Sequence, residues 1–196
     1  FDLGVSRAVM RFVALYHAQE DHDRERAVIG GSVATIVALG AILVSIPLLF
    51  PSALQAVIKA DSPELTRHLL LAATAILVTG MVARILGSAS FGRGRMVAAN
   101  IGLAIQTSAI VVGGVLAIIV NPTLENFATG SAAGAGIGLL AVIIAIRLDE
   151  KEIRIGLPKR SVMPEIISFG MKGQMMSVSE IVLFQSGKLI AGIVIG

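Results

Sequence analysis

Long apolar stretches alternate with short polar gaps along the whole chain. Residues 27–58 contain no charged side chain. The stretches 96–124 and 126–146 are also free of charge and are separated by Glu125. Each is long enough for the roughly 20 apolar residues that a helix needs to cross a bilayer. The pattern predicts six membrane-spanning helices, at about residues 1–19, 28–56, 64–88, 96–120, 126–147 and 165–196.

The apolar stretches do not have the alternating hydropathy pattern of membrane-spanning β-strands. A transmembrane β-barrel would show segments of about ten residues in which apolar and polar positions alternate. These stretches are longer and uniformly apolar, and the composition is 55% hydrophobic with only 15% charged residues, whereas soluble domains carry about 25% charge. We therefore expect an all-α fold, a polytopic transmembrane helix bundle without a soluble domain.

Local signals mark where some of these helices begin and end. The sequence DSPE at 61–64 suits a helix start, with Ser62 as the cap and Pro63 at the first helical position. Asn121-Pro122 is expected to end the helix and separate two spans, because proline cannot continue a helix.

The basic residues are divided unequally between the two sides of the predicted bundle. The gaps at 20–27, 84–95 and 147–160 fall on one side and hold ten Lys and Arg residues, against two in the gaps at 58–67 and 121–125. Cytoplasmic loops carry the excess of positive charge in membrane proteins. The first side is therefore predicted to be cytoplasmic, and the net charge of +3 sets orientation rather than indicating a nucleic-acid partner.

The sequence FGRGR at 91–95 is interpreted as a tight cytoplasmic turn in a helical hairpin. A phosphate-binding loop would need a preceding strand and a Gly-Lys-Ser/Thr ending, and neither is present. The acids of the cytoplasmic gaps, among them Glu20, Asp21, Asp23 and Glu25, are expected to form a solvated face.

Small residues recur at four-residue spacing in "ATGSAAGAGIG". Gly130, Gly134 and Gly138 form one such row, and Ala132 and Gly136 offer a second. Small residues at this spacing allow two membrane helices to approach closely. Static packing and a surface that slides during transport are both compatible with the pattern.

Ionisable residues inside predicted spans are the main pointer to function, because they are costly in lipid and usually face a cavity or a partner. Arg7 and Arg11 lie one helical turn apart in the first span. Lys172, Glu180 and Lys188 lie in the last span. These five are the candidate substrate-binding residues of a central cavity, and internal pairing of Glu180 with Arg7 or a lysine is the alternative.

Other chemistry has little support in the sequence. The chain has no cysteine, and its three histidines, His17, His22 and His68, show no metal-ligand spacing. No nucleophile, histidine and acid form a catalytic grouping. We therefore expect neither an enzyme nor a bound metal or cofactor.

Several stretches together resemble the polysaccharide flippases of the Wzx type, from the multidrug/oligosaccharidyl-lipid/polysaccharide exporter superfamily. They are "FDLGVSRAVMRFVA", "EDHDRERA", "ILGSASFGRGRMVAANIG" and "PEIISFGMKGQMMSVSEIVLFQSGKLIAG". Their order and spacing are similar to those of the second to seventh helices of that family. The resemblance covers nearly the whole chain, but its motifs, such as D-x-G and a G-R turn, are loose.

The resemblance implies a multi-pass protein of the bacterial inner membrane with about twelve to fourteen helices in two similar bundles. The chain would be an internal fragment: residues 1–196 belong to the N-terminal bundle, and 161–196 start the second. The implied activity is alternating-access flipping of an undecaprenyl-pyrophosphate-linked oligosaccharide for surface polysaccharide synthesis. The implied partners are that lipid-linked oligosaccharide, membrane lipid and a coupling ion, H⁺ or Na⁺.

Arg7 and Lys188 match basic positions of the family motifs and carry over as candidate cavity residues. The family commonly has an acid just before that lysine, whereas this chain has Gly187, which leaves the ion-coupling role without its usual residue. A cation-coupled drug exporter of the same superfamily would favour carboxylates in the cavity. A non-transporting assembly subunit would need no charges within the membrane at all.

Overall fold

The computed structural model describes residues 4–50, 52, 54, 62–149, 156–157, 164–166, 168–170, 172 and 175. These residues form helices and short turns, and no β-strand occurs among them, so the all-α prediction is confirmed for this part of the chain. The long helices are α1 (Val5–Ala18), α2 (His22–Leu49), α3 (Pro63–Gly92), α4 (Met96–Val120) and α5 (Leu124–Asp149).

Four of these helices, α2 to α5, are long and apolar enough to cross a membrane. Helix α1 has 14 residues, which span about 21 Å at a rise of 1.5 Å per residue, less than the roughly 30 Å of a bilayer core. Most of the predicted sixth span, 165–196, lies outside the described residues. The four helices are compatible with a helical membrane bundle, while the count of six spans is not confirmed.

The helix starts follow local hydrogen bonding. The Oγ of Ser62 accepts a hydrogen bond from the backbone N–H of Leu65 at 3.1 Å, with Pro63 in the first turn, as predicted. Helix α2 begins at His22, six residues before the predicted 28. The reason is Asp21, whose carboxylate accepts from the backbone N–H of Arg24 at 3.0 Å and caps a charged first turn.

The turn between α3 and α4 is shorter than predicted. Helix α3 continues to Gly92 instead of ending near 88, so only residues 93–95 connect the two helices. Gly94 has a φ of 78°, a left-handed conformation that glycine adopts without steric cost. The tight hairpin turn is confirmed, but Arg84, expected in the polar gap, lies well inside the helix.

Helix α3 is central and contacts the other four helices. The α1–α2 pair and the α4–α5 pair each pack against α3, and the backbones of the two pairs do not approach each other closely among the described helices. Buried apolar side chains from several helices pack into one core, including Val9 and Val13 of α1, Ile29 of α2, Ile85 of α3 and Val142 of α5.

Helices α4 and α5 pack through small residues, as the glycine spacing predicts. A Cβ atom at Gly134 would collide with the carbonyl of Ala109, and one at Gly130 would collide with the carbonyl of Gly113. The two backbones are therefore in direct contact. The second proposed row is not used in this way, because a Cβ at Gly136 would meet no atom within 4 Å.

The outer face of α4 is apolar and uncovered by any described residue. Val97 is 73% exposed, Val111 59% and Ile119 74%. Exposed apolar surface on this scale is unfavourable in water but suits contact with lipid tails. The exposure agrees with a helix at the lipid-facing side of the bundle.

Described residues near 164–170 are helical and pack against α1. The ring of Phe169 meets that of Phe12 edge to face, with centroids 5.9 Å apart. The hydroxyl of Tyr16 donates a hydrogen bond to Glu165 at 3.3 Å, and Ile166 is buried. This helical segment therefore packs beside α1.

Candidate functional site

A groove of about 580 Å³ opens between α1, α3 and α4. The backbones of α1 and α4 each lie close to α3 but not to each other in the described helices, so α3 forms the floor of the groove and the other two helices form its walls. Its volume lies within the range of about 300–1,000 Å³ that is typical of small-ligand pockets. The lining is mainly apolar and includes Ser6, Met81, Phe91, Leu103, Gln106 and Ile110.

Arg84 is the basic residue among the described lining of this groove. It lies eight residues before the end of α3 at Gly92, a distance of about 12 Å along the helix axis. Gly80 and Ser88, one turn away on either side, line the same groove, and the side chain of Arg84 is exposed. A charged side chain at this depth among apolar residues is a functional candidate.

The sequence patterns did not identify Arg84 as a site residue. It lies at the end of an apolar stretch and only seven residues before Phe91 of the turn sequence, so the charge pattern places it with the loop arginines. The available signal was the apolar character of Ile85 and Leu86, which continues the span beyond Arg84.

Gln106 fixes one wall of the groove to its floor. Its side chain is only 4% exposed, and its amide Nε2 donates to the carbonyl oxygen of Thr79 on α3 at 3.2 Å. The neighbouring hydroxyl of Thr107 instead donates within its own helix, to the carbonyl of Leu103 at 3.0 Å. Gln106 is thus the polar link between α3 and α4 at mid-helix.

The predicted cavity residues are only partly placed by the structure. Arg7 and Lys172 are exposed and are not among the described lining of the groove, although Ser6 beside Arg7 is. Glu180 and Lys188 lie outside the described residues. The alternative pairing of Arg7 with Glu180 therefore stays a prediction, as does the cavity role of all five residues.

Arg11 interacts with aromatic rings. Its guanidinium carbon lies 4.5 Å from the ring centroid of Phe169 and 5.9 Å from that of Phe12. These distances are within the range of cation–π interactions. Arg11 thereby connects α1 to the helical segment around residue 169.

A second polar site lies where the α1–α2 corner meets the α3–α4 turn. Glu25 is only 1% exposed, and its Oε1 accepts from Nε of Arg93, whose side chain is 10% exposed. The expectation that the acids of this gap form a solvated face is wrong for Glu25. Burial of the carboxylate is possible because Arg93, from the turn that α3 and α4 share, supplies the opposite charge.

Two of the histidines, expected to be scattered, lie beside the same carboxylate. The Nδ1 atoms of His17 and His22 are 3.6 Å and 3.4 Å from Oε2 of Glu25. Together the three side chains place possible metal-ligating atoms within 4.8 Å of one another. His68 lies elsewhere, with Nε2 at 3.4 Å from the hydroxyl of Thr129.

Compared with known protein families, with curated proteins and with solved structures, the chain shows no match.

Proposed function

We propose that this chain is part of a transporter that flips a lipid-linked oligosaccharide, carried on undecaprenyl pyrophosphate, across the bacterial inner membrane. The observation that carries the proposal is Arg84 within a mainly apolar groove at the side of the central helix. The family resemblance of the sequence points in the same direction. Flipping by alternating access would serve the synthesis of a surface polysaccharide.

The chemistry of the groove suits a pyrophosphate attached to a lipid. A guanidinium stays protonated and offers several N–H donors in a fixed plane, and charge-assisted hydrogen bonds to phosphate oxygens are strong and directional. The apolar walls, such as Met81 and Leu103, would accommodate the prenyl chain. Arg7 and Lys188 would bind the same anion in the complete cavity.

The arrangement of the helices is compatible with a moving part. The α1–α2 pair and the α4–α5 pair both pack against α3, and their helix backbones do not approach each other closely. Gly156, which follows α5, donates a backbone hydrogen bond to the carbonyl of Arg26 on α2 at 3.1 Å. Packed units that share few contacts can shift as rigid bodies. In the proposal, closure of α1 towards α4 would change the side from which the groove is open.

The drug-exporter alternative has less support. A site for cationic drugs would favour carboxylates, and none of the described residues that line the groove is acidic. An assembly subunit would not require a basic residue in the groove. Both alternatives nevertheless make different predictions from the flippase proposal and can be tested together.

The test compares Arg84→Gln and Arg84→Lys in a strain that lacks the chromosomal gene. Arg84→Gln should remove most surface polysaccharide and cause lipid-linked oligosaccharide to accumulate, with normal amounts of protein in the membrane. Arg84→Lys should retain partial function, because lysine binds phosphate as a point charge without the planar geometry of arginine. Arg147→Gln is the matched control, since Arg147 is an exposed arginine at the end of α5, and it should behave as wild type.

Three outcomes would contradict the proposal. Normal surface polysaccharide with Arg84→Gln would exclude the groove as the headgroup site. Normal polysaccharide in the gene deletion, with increased drug sensitivity, would favour the exporter. Loss of polysaccharide without accumulation of the lipid-linked precursor would favour an assembly subunit.

A further inference from the structure

The α1–α2 corner brings three side chains with metal-binding atoms to one point. His17 is in the last turn of α1, His22 is the first residue of α2, and Glu25 follows one turn later. The connection between the helices is short and contains Glu20 with a φ of 57°, which folds α2 back directly on α1. The imidazoles of His17 and His22 therefore face the same carboxylate, with ring centroids 6.4 Å apart.

Two of the three spacings among these atoms are close to those of a tetrahedral metal site, and all three ligand atoms lie within 4.8 Å of one another. Zinc binds histidine nitrogen and carboxylate oxygen at about 2.0–2.1 Å, which places neighbouring ligand atoms of a tetrahedron about 3.3–3.4 Å apart. The corresponding distances from Oε2 of Glu25 are 3.4 Å to Nδ1 of His22 and 3.6 Å to Nδ1 of His17. A shift of a few tenths of an ångström would bring these two edges to the ideal length, and rotation of the two exposed imidazoles would set the third.

Arg93 orients the carboxylate for this role. It binds Oε1 of Glu25 and so leaves Oε2 directed towards the two imidazoles. Ligating carboxylates are commonly held by such a second partner, which fixes their geometry. The carboxylate is 1% exposed, whereas the side chains of His17 and His22 are 48% and 56% exposed, so an ion can approach from the polar side without opening the bundle.

We propose that His17, His22 and Glu25 form a binding site for a divalent transition-metal ion, with Zn²⁺ the best match to two imidazoles and one carboxylate. Three protein ligands leave a fourth position for water. The bound ion would connect the end of α1 to the start of α2, and through Glu25 and Arg93 to the α3–α4 turn. This inference does not depend on the proposed transport function.

The experiment measures Zn²⁺ binding to the purified protein in detergent, after removal of any polyhistidine tag. We expect one saturable site per chain, and absorption bands typical of four-coordinate cobalt when Co²⁺ replaces Zn²⁺. His17→Ala and His22→Ala should each weaken binding by about tenfold or more, because removal of a ligand costs at least as much as the loss of an outer partner. Binding should weaken at acidic pH, since the ligands must be deprotonated.

His68→Ala is the matched control, because it removes a histidine outside the cluster and should leave the affinity unchanged. Both cluster histidines are exposed, so their variants should fold, and thermal unfolding without metal checks this. Zn²⁺ should raise the unfolding temperature of the wild type and of His68→Ala, but not that of the His17→Ala/His22→Ala double variant. Equal affinity in the double variant and the wild type, or no saturable binding by the wild type, would overturn the proposal and leave the cluster as a purely electrostatic contact.

Discussion

The two helix pairs on either side of α3 are held together in different ways. The α4–α5 pair packs through backbone contacts at Gly113, Gly130 and Gly134 along the apolar length of both helices. The α1–α2 pair is joined at its polar end, where Nδ1 of His17 on α1 lies 3.6 Å from Oε2 of Glu25 on α2, and Arg93 of the α3–α4 turn binds the same carboxylate. Between lipid tails no hydrophobic force draws two helices together, so their close approach depends on small residues. Near water, ion pairs between side chains can also stabilise a contact between helices.

The contrast also explains where the groove lies. Small residues allow α5 to fit closely against α4, whereas the α1–α3–α4 region carries longer side chains such as Met81, Arg84 and Phe91. These side chains line a space of about 580 Å³. A tight contact and an open one therefore lie on neighbouring faces of α4.

The largest effect is expected in a labelling experiment that compares the two ends of the bundle and shows which end is cytoplasmic. The native chain has no cysteine, so single cysteines can be introduced at Arg95, next to the polar cluster, and at Thr123 in the opposite turn. Both positions are exposed. An impermeant thiol reagent applied to intact cells should label the cysteine at 123 and not the one at 95; the reverse pattern would invert the orientation.

The buried ion pair between Glu25 and Arg93 can be tested by substitution of Glu25. Glu25→Ala leaves Arg93 largely buried without its carboxylate and should lower the free energy of unfolding by about 3–5 kcal/mol. Adding Arg93→Ala should restore part of this loss. Asp149→Ala is the control, because it removes an exposed pair with Arg95 at 3.5 Å, for which about 1 kcal/mol or less is expected. Equal losses in the two single variants, measured by unfolding in detergent, would show that burial of the Glu25 pair is unimportant.

The small-residue contact can be broken by a single methyl group. Gly134→Ala should destabilise the protein by about 1–3 kcal/mol, because the new Cβ meets backbone atoms of Ala109 and Ile110 that cannot move independently. Gly136→Ala is chemically identical but faces open space. It should be neutral or stabilising by up to about 1 kcal/mol, since alanine favours helix more than glycine does. The order of the two unfolding temperatures checks the prediction, and a higher value for Gly134→Ala would contradict the close α4–α5 contact.

The smallest effect concerns the link between α3 and α4. Gln106→Leu removes the hydrogen bond to the carbonyl of Thr79 and should cost about 0.6 kcal/mol, with about 1.7 kcal/mol as an upper value for such bonds in membranes. Thr107→Val removes a hydroxyl that binds only its own helix in the described contacts and should have a smaller effect. If the two variants unfold alike, the cross-helix bond of Gln106 contributes nothing measurable.

Much of the fold is determined by local sequence. Helix α4 begins and ends at the residues that its apolar pattern predicts, and Ser62 caps α3 as its DSPE sequence suggests. The glycine row of α5 also identified a close contact correctly. Span limits were less accurate at α2 and α3, because hydropathy marks the part of a helix that suits lipid, while backbone hydrogen bonds continue into the polar region.

The sequence by itself therefore determined that the chain forms long apolar helices, where tight turns separate them, and which face of α5 can approach another helix. Each of these depends on residues within a few positions of one another. The tertiary structure decided which polar residues are buried and which meet, since Glu25 and Arg93 are 68 positions apart and no local pattern relates them. It likewise decided that Arg84 lines a groove, because the space around a side chain depends on how neighbouring helices pack.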